Sequence, residues 1–161
     1  MASILKPIAK MHLQDSIRNE LFAAHTYQHI ASQMQAAGFF GAQSFFEKEA
    51  ASELEHYKEL RNFVNDMGDV LPTPAIDMAD TVIVDIQQAL MLSYDTEKYL
   101  LDQYNERAVA CLNDNDIATA SLFFKFVDKQ VHSIGEYGDL ISRLYKNPKD
   151  VFEFDEHLKE L

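Results

Sequence analysis

The sequence predicts an all-α protein: a four-helix bundle with a long crossover between helices two and three and a short fifth helix at the C-terminus. Two observations lead to this prediction. Apolar residues recur at the spacing of one helix face in four segments of about 26 to 30 residues, or about 40 Å of helix each. The 161-residue chain has only 5 Gly and 4 Pro, which fall mostly between these segments. Four long amphipathic helices bury their apolar stripes together in a four-helix bundle.

The first helix is predicted to begin at Pro7, because proline suits the first helical turn, where its missing N–H costs nothing. It extends to Gly38, and the second helix follows from about Gly41 to Gly68. Gly38 and Gly68 are expected to end the two helices in the left-handed conformation that glycine adopts readily.

The link between the second and third helices has roughly 17 residues, which is long for a helix connection. It contains Pro72 and Pro74. A link of this length can run from one end of the bundle to the other, so helices two and three are expected to be parallel. The third helix is predicted from Asp85, which forms a capping box with Gln88, to about Cys111.

A polar run then breaks the third helix, and either Asn115 or Asp116 can cap the fourth. The fourth helix is predicted to extend to about Tyr145, where Asn147-Pro148 stops it, because proline cannot continue a helix.

The short fifth helix is predicted at about residues 149–160, after a bundle at about residues 7–145. Apolar residues make up 47% of the chain, enough for a substantial core, which argues against disorder. We therefore expect one domain covering residues 1–161.

The charge of the chain narrows the choice of partner. There are 14 Lys and Arg against 26 Asp and Glu, for a formal net charge of −12. Such a chain is unsuited to nucleic acid or an anionic membrane, since both need basic residues, and is suited to cations. The single Cys111, with no signal-peptide pattern and no apolar run of membrane-spanning length, favours a cytoplasmic location.

Each apolar stripe contains one polar residue near its middle: Glu20, Glu53, Glu97 and Gln130. Counting along antiparallel helices from the two predicted turns places these four residues in one layer of the bundle. Any one of them alone is most simply a partly exposed or hydrogen-bonded residue. Three buried carboxylates together repel each other, and no Lys or Arg lies in the stripes to neutralise them. Protonation is one solution, and a bound multivalent cation is the other.

His56 favours a metal. Glu53-x-x-His56 places both side chains on one helix face, since positions i and i+3 are neighbours. A Glu and His pair suits a first-row metal such as Fe or Mn better than Ca or Mg, and Zn would bind the same groups. Proteins with two iron ions in a helical bundle carry this motif on two helices. Here Lys129 stands where the fourth helix would need the second Glu.

These residues and their flanking segments resemble ferritins over essentially the whole chain: the start is similar to bacterial non-haem ferritins, and the fourth-helix segment is similar to animal heavy-chain ferritins. The segments that carry the resemblance are Leu5-Lys6-Pro7, Ser52-Glu53-Leu54-Glu55-His56, Asn105-Glu106-Arg107-Ala108, Gln130-Val131-His132-Ser133-Ile134, Glu136-Tyr137-Gly138-Asp139 and Phe154-Asp155-Glu156-His157-Leu158.

The resemblance implies an iron-storage protein with a di-iron ferroxidase centre, at which Fe(II) is oxidised by O2. Glu20, Glu53 and His56 would hold one iron, Glu53 would bridge to the second, and Glu97 would complete it. Gln130 would donate a hydrogen bond to bound water or oxygen.

The resemblance also implies a catalytic tyrosine and a shell. Tyr27 matches the tyrosine beside the family's centre, where it would donate an electron or a hydrogen bond; plain core packing is the alternative. The ferric mineral would collect inside a homo-oligomeric 24-mer, whose negative charge attracts cations. No haem is expected, because Leu54 stands where haem-binding relatives have Met.

Two further features of the family are absent from the sequence. Some bacterial ferritins bind a third iron through carboxylates, at positions that here read Ser52, Lys129, His132 and Ser133. A third site is therefore not expected, and His132 is interpreted as a surface residue, with a stray metal ligand as the alternative.

The second feature is the acidic pair that lines the entry channel of animal ferritins. Those positions are Ala120 and Phe123 here, so iron is expected to enter by another route.

Three alternatives to a catalytic ferritin are weaker. A rubrerythrin-like peroxidase would need a second Glu-x-x-His and usually four Cys. A non-catalytic scaffold subunit would lack the ligand set. A 12-meric mini-ferritin would lack the fifth helix.

Overall fold

The computed structural model describes residues 2–146 and 150–161, and within these residues the chain forms helices and no strands. The predicted all-α four-helix bundle with a short fifth helix is confirmed. The predicted stop at Asn147-Pro148 and the start at residue 149 lie outside the described residues. The helices are α1 (Pro7–Ala36), α2 (Phe40–Asp66), α3 (Ile86–Asn113), α4 (Ile117–Lys146) and α5 (Val151–Glu160).

The ends of α1 and α2 have the chemistry that the sequence predicts. Pro7 occupies the first turn of α1. Gly38 and Gly68 follow the two helices with φ of 84° and 77°, in the left-handed region where a side chain would be strained. These glycines let the chain turn sharply after each helix.

The start of α3 differs in one detail from the predicted capping box. Asp85 Oδ1 accepts a hydrogen bond from the Gln88 amide N–H at 2.8 Å. The Gln88 side chain, however, accepts from the backbone N–H of Val84 at 3.1 Å and not from that of Asp85. Both bonds still satisfy amides at the helix start.

Of the two candidates, Asp116 caps the start of α4. Its Oδ1 accepts a hydrogen bond from the Thr119 amide N–H at 3.0 Å. Asn115 instead takes a left-handed conformation, with φ of 54°, which asparagine tolerates better than most residues. It forms the turn that brings α4 back along α3.

The long crossover makes α2 and α3 parallel. A three-residue turn joins α1 to α2, so these helices are antiparallel. Glu20 and Tyr27 of α1 pair with Tyr104 and Glu97 of α3, respectively, and this reversed order makes α1 and α3 antiparallel too. Among the described residues, no helix is long and apolar enough to cross a membrane.

The fifth helix docks on the first turn of α2. Both carboxylate oxygens of Asp155 accept backbone hydrogen bonds, at 3.0 Å from Gly41 N–H and 2.8 Å from Ala42 N–H. Phe39, at the N-cap position of α2, makes no side-chain hydrogen bond there. Asp155 thus caps α2 from another helix, where its negative charge also meets the positive end of the helix dipole. Gly41 permits this approach, because a Cβ would lie 1.7 Å from the Asp155 carbonyl oxygen.

We expect Asp155→Ala to release α5 from the bundle. The change leaves two amide N–H groups without their acceptor and should cost about 1 to 2 kcal/mol, the usual range for a lost cap. Hydrogen exchange at the α5 amides should accelerate by the factor that corresponds to this loss of free energy. Glu156→Ala, an exposed neighbour on the same helix, is the matched control. Equal exchange rates in the two variants would show that Asp155 does not hold α5.

Candidate metal centre

Each long helix contributes one polar side chain to the interior of the bundle. These are Glu20 from α1, Glu53 from α2, Glu97 from α3 and Gln130 from α4, and their exposed fractions are 0, 3, 1 and 0%, respectively. They are buried because they occupy the helix face that recurs at three- and four-residue spacing and points to the bundle axis. Polar groups of this kind are normally excluded from a core unless something satisfies them.

Glu20, Glu53 and His56 form a cluster whose potential ligand atoms all lie within 4.8 Å of one another. Nδ1 of His56 is 3.0 Å from Oε2 of Glu53 and 3.4 Å from Oε2 of Glu20. The His56 ring packs edge-on against Phe126, with centroids 5.7 Å apart. One imidazole nitrogen and two carboxylates therefore converge, and this is a donor set that first-row divalent ions prefer.

Glu97 lies beside this cluster, outside the group that meets within 4.8 Å. The hydroxyl of Tyr27, on α1, donates a hydrogen bond to its Oε1. Burial raises the pKa of the Glu97 carboxyl to about 7, and the nearby charge of Glu20 adds to this increase. Within the described residues, Glu20, Glu53 and His56 therefore form one three-residue cluster, and the Glu97 carboxylate lies beside it.

Burial and mutual repulsion determine how strongly these carboxylates hold protons. Burial, followed by the charge of Glu20, raises the pKa of Glu53 well above its usual range. Burial alone would also raise the pKa of Glu20, but the proximity of Glu53 and His56 lowers it. The protonated form is therefore favoured more at Glu53 than at Glu20, and a divalent cation binding between the two carboxylates would compete with that proton.

Several polar atoms of the layer have no hydrogen-bond partner among the described residues. They are Oε2 of Glu20, Oε2 of Glu97 and both amide atoms of Gln130. Orphaned buried atoms are costly, and such atoms call for a bound group that satisfies them. A metal ion with its bound water fits this need, since the carboxylate oxygens are ligands and the Gln130 amide can donate to water.

The positions considered for a third iron are not gathered into this layer. Lys129 forms an ion pair with Glu59 across the α2–α4 interface. The side chain of His132 is 77% exposed, and its Nε2 is 3.3 Å from Oε1 of Glu136. A lysine ammonium at this place repels cations, and the absence of a third site stays a prediction.

Ala120 and Phe123 are both 0% exposed. They belong to the core of this subunit, so neither side chain is placed to line a channel between subunits.

The sequence analysis missed three residues around the layer. Tyr104 donates its hydroxyl hydrogen bond to Oε1 of Glu20, and Tyr137 donates to Oε2 of Glu49 at 2.8 Å. Both tyrosines lie in the apolar stripes of their helices, where the sequence does not distinguish them from ordinary core residues. Glu49 lies four residues before Glu53, one turn away on the same helix face, and that spacing was a signal that could have identified it.

The comparisons of this sequence with a family model and with known proteins agree with one another. The sequence model described as the ferritin-like domain matches residues 10–147. The bacterial non-heme ferritin of Staphylococcus haemolyticus is 26% identical over 156 residues, covering 89% of this chain and 94% of the relative. A probable bacterial non-heme ferritin-like protein of Haemophilus influenzae is 20% identical and covers 92% of both chains.

Solved structures share the fold. The open-pore ferritin of the hyperthermophilic archaeon Archaeoglobus fulgidus superposes with a TM-score of 0.91 at 21% identity, covering 98% of both chains. A form of the Archaeoglobus fulgidus protein engineered to be closed superposes with a TM-score of 0.92 at 20% identity, covering 96% of both chains.

Proposed function

The chain belongs to the ferritin family, and from this premise we propose that it stores iron after oxidising Fe(II) with O2 at a di-iron centre inside the subunit. The buried cluster of Glu20, Glu53 and His56 is the observation on which the proposal depends. A subunit that only enclosed mineral would have no need for charged ligands in its core, where they cost stability.

The proposed roles follow from the positions of the side chains. Glu20, Glu53 and His56 hold the first iron through the atoms that converge between α1 and α2. By resemblance to ferritins, Glu53 and Glu97 would together hold the second iron. The free amide of Gln130 donates a hydrogen bond to water or oxygen bound there. Two Fe(II) ions at the centre supply two electrons to one O2.

Tyr27 is proposed to act at this centre through Glu97. Its hydroxyl is fully buried and donates to the Glu97 carboxylate. Burial raises the pKa of this hydroxyl well above its usual range, so the phenol stays protonated and remains a hydrogen-bond donor throughout the neutral range.

We also propose that the chain is a single ferritin-like domain and that its copies assemble into a homo-oligomeric 24-mer in the cytoplasm. With −12 per subunit, the shell attracts Fe(II) and repels anions. The proposal includes no haem, because Leu54 is not a haem ligand, and no nucleic acid or membrane partner.

The proposal predicts rapid aerobic Fe(II) oxidation at about two Fe(II) per subunit, lost in Glu53→Ala. Even residues that only orient metal ligands change activity by 10- to 100-fold, so losing a bridging ligand should slow oxidation by at least about 100-fold. Absorbance of the ferric product after mixing measures the rate.

Glu47→Ala is the matched control, because Glu47 is an exposed carboxylate on the same helix. Size-exclusion chromatography checks that all three proteins assemble alike. Oxidation by the wild type no faster than in buffer would overturn the ferroxidase proposal and favour a storage shell without catalysis.

A further inference from the structure

Helices α1 and α3 present the same pair of residues in a reciprocal arrangement. Glu20 and Tyr27 are seven residues apart on α1, and Glu97 and Tyr104 are seven residues apart on α3. Because the helices are antiparallel, each tyrosine meets the carboxylate of the other helix. The Tyr27 hydroxyl donates to Oε1 of Glu97, and the Tyr104 hydroxyl donates to Oε1 of Glu20.

The two tyrosine hydroxyls make the two oxygens of each carboxylate, Glu20 and Glu97, inequivalent. In Glu20 and in Glu97, Oε1 accepts the tyrosine hydrogen bond, while Oε2 has no hydrogen-bond partner among the described residues. The free Oε2 of Glu20 is the oxygen that faces Nδ1 of His56, at 3.4 Å. The atom left free is therefore the one that points into the cluster.

We propose that Tyr104 is a positioning residue for the metal centre. It fixes Oε1 of Glu20 so that Glu20 offers one oxygen, Oε2, to the metal. Tyr27 fixes Glu97 in the same way on the other side of the centre. The inference rests on the proposed metal centre, and it adds Tyr104 to the residues that determine the geometry of that centre.

The surroundings of Tyr104 suit a positioning role. Its ring lies between those of Phe123 and Phe126, with centroids 5.9 and 4.9 Å away. The guanidinium carbon of Arg107 lies 5.6 Å from the ring centroid. Arg107 is itself held by a 3.0 Å hydrogen bond to the Ser16 hydroxyl. The ring is therefore fixed, and its hydroxyl is directed at Glu20.

A tyrosine serving only as packing would fill the same volume without a hydroxyl. Phenylalanine differs from tyrosine by that single oxygen, so Tyr104→Phe removes the hydrogen bond while preserving the packing. Without the bond, the Glu20 carboxylate can rotate and present either or both oxygens. The metal-binding properties should then change while the fold does not.

The test uses Co(II), whose binding and visible spectrum report ligand geometry without any oxidation step. We expect Tyr104→Phe to bind Co(II) about 10- to 100-fold more weakly, as is usual when a residue that orients a metal ligand is lost. We also expect altered visible bands and an infrared carboxylate pattern shifted from one-oxygen to two-oxygen binding. Tyr94→Phe, a half-buried tyrosine on the same helix, is the control.

A double-mutant cycle makes the test specific for Glu20. If Tyr104 acts through that carboxylate, Tyr104→Phe should have no further effect on Co(II) affinity once Glu20→Gln is present. Equal affinity and spectra for Tyr104→Phe and Tyr94→Phe would overturn the proposal. So would a wild type that binds no Co(II).

The oxidation experiment is independent of this one. Wild-type protein that binds Co(II) with the expected dependence on Tyr104 but does not oxidise Fe(II) would overturn the ferroxidase function alone. If Tyr104→Phe fails to assemble, Tyr27→Phe tests the reciprocal half of the arrangement: its Glu97 infrared bands should shift, and unchanged bands would overturn the proposal.

Discussion

Glu53→Gln is expected to leave the metal-free protein as stable as the wild type and to abolish its stabilisation by divalent metal. Burial and the charge of Glu20 raise the pKa of Glu53 well above its usual range, which favours the neutral form of this side chain in the folded protein. Glutamine has the same shape and is also neutral, so the free energy of unfolding should change by less than about 1 kcal/mol.

The effect on metal binding should be large. A metal needs the ionised carboxylate that glutamine cannot supply, and the position bridges the two proposed ions. A ligand present at 100 times its dissociation constant stabilises a protein by about 2.7 kcal/mol, and this increment should disappear. Thermal unfolding with and without Zn(II) measures it.

Glu55→Gln provides the comparison, since Glu55 is two residues further on and its side chain is 69% exposed. It should retain the full increment. If Glu53→Gln kept the zinc stabilisation, Glu53 would not be a ligand. A large loss of metal-free stability would show instead that Glu53 is needed for the fold.

The second large expected effect concerns the contribution of Glu97 to the free energy of unfolding. This contribution should decrease with pH in the metal-free protein and increase with pH in the presence of metal. The pKa of Glu97 is raised from 4.5 to about 7 by burial, with a further contribution from the charge of Glu20. Between these values the folded protein keeps a proton that the unfolded chain has lost. The stabilisation from proton binding is thus fully present below pH 4.5 and is lost as the pH rises through 7. The shift corresponds to about 3 kcal/mol.

The measurement is the wild-type stability minus that of Glu97→Gln, at several pH values, because the difference cancels the contributions of other groups. Without metal, this difference should fall as the pH rises from 4.5 to 7. With saturating Zn(II) it should rise, since protons compete with the metal for the carboxylate. A difference that is independent of pH would mean that Glu97 titrates normally.

The helices and the burial of the four polar residues could be predicted from the sequence, because both depend on counting along single helices. A stripe residue such as Glu20 or Glu53 points inward wherever its helix packs. The height of each residue follows from its distance to the nearest turn, at 1.5 Å per residue. Such reasoning needs only the sequence and the positions of the turns.

The contacts between helices could not be predicted in this way. Tyr104 lies in the apolar stripe of α3, and a buried tyrosine in such a stripe is usually core packing. Tyr104 is seven residues from Glu97, just as Tyr27 is seven residues from Glu20. This repeat predicts hydrogen bonds between the two helices only when the register of α1 against α3 is known. Likewise, nothing near Asp155 in the sequence indicates that it caps α2.

The Asp155 contact has a consequence for the order in which the chain matures. The two amides that it caps lie 114 and 113 residues earlier in the sequence. As the protein emerges from the ribosome, the first turn of α2 therefore receives this acceptor only after Asp155 has been made. A chain that stops before Asp155 leaves these two amides without their cap, so the bundle reaches its full stability only once α5 has docked.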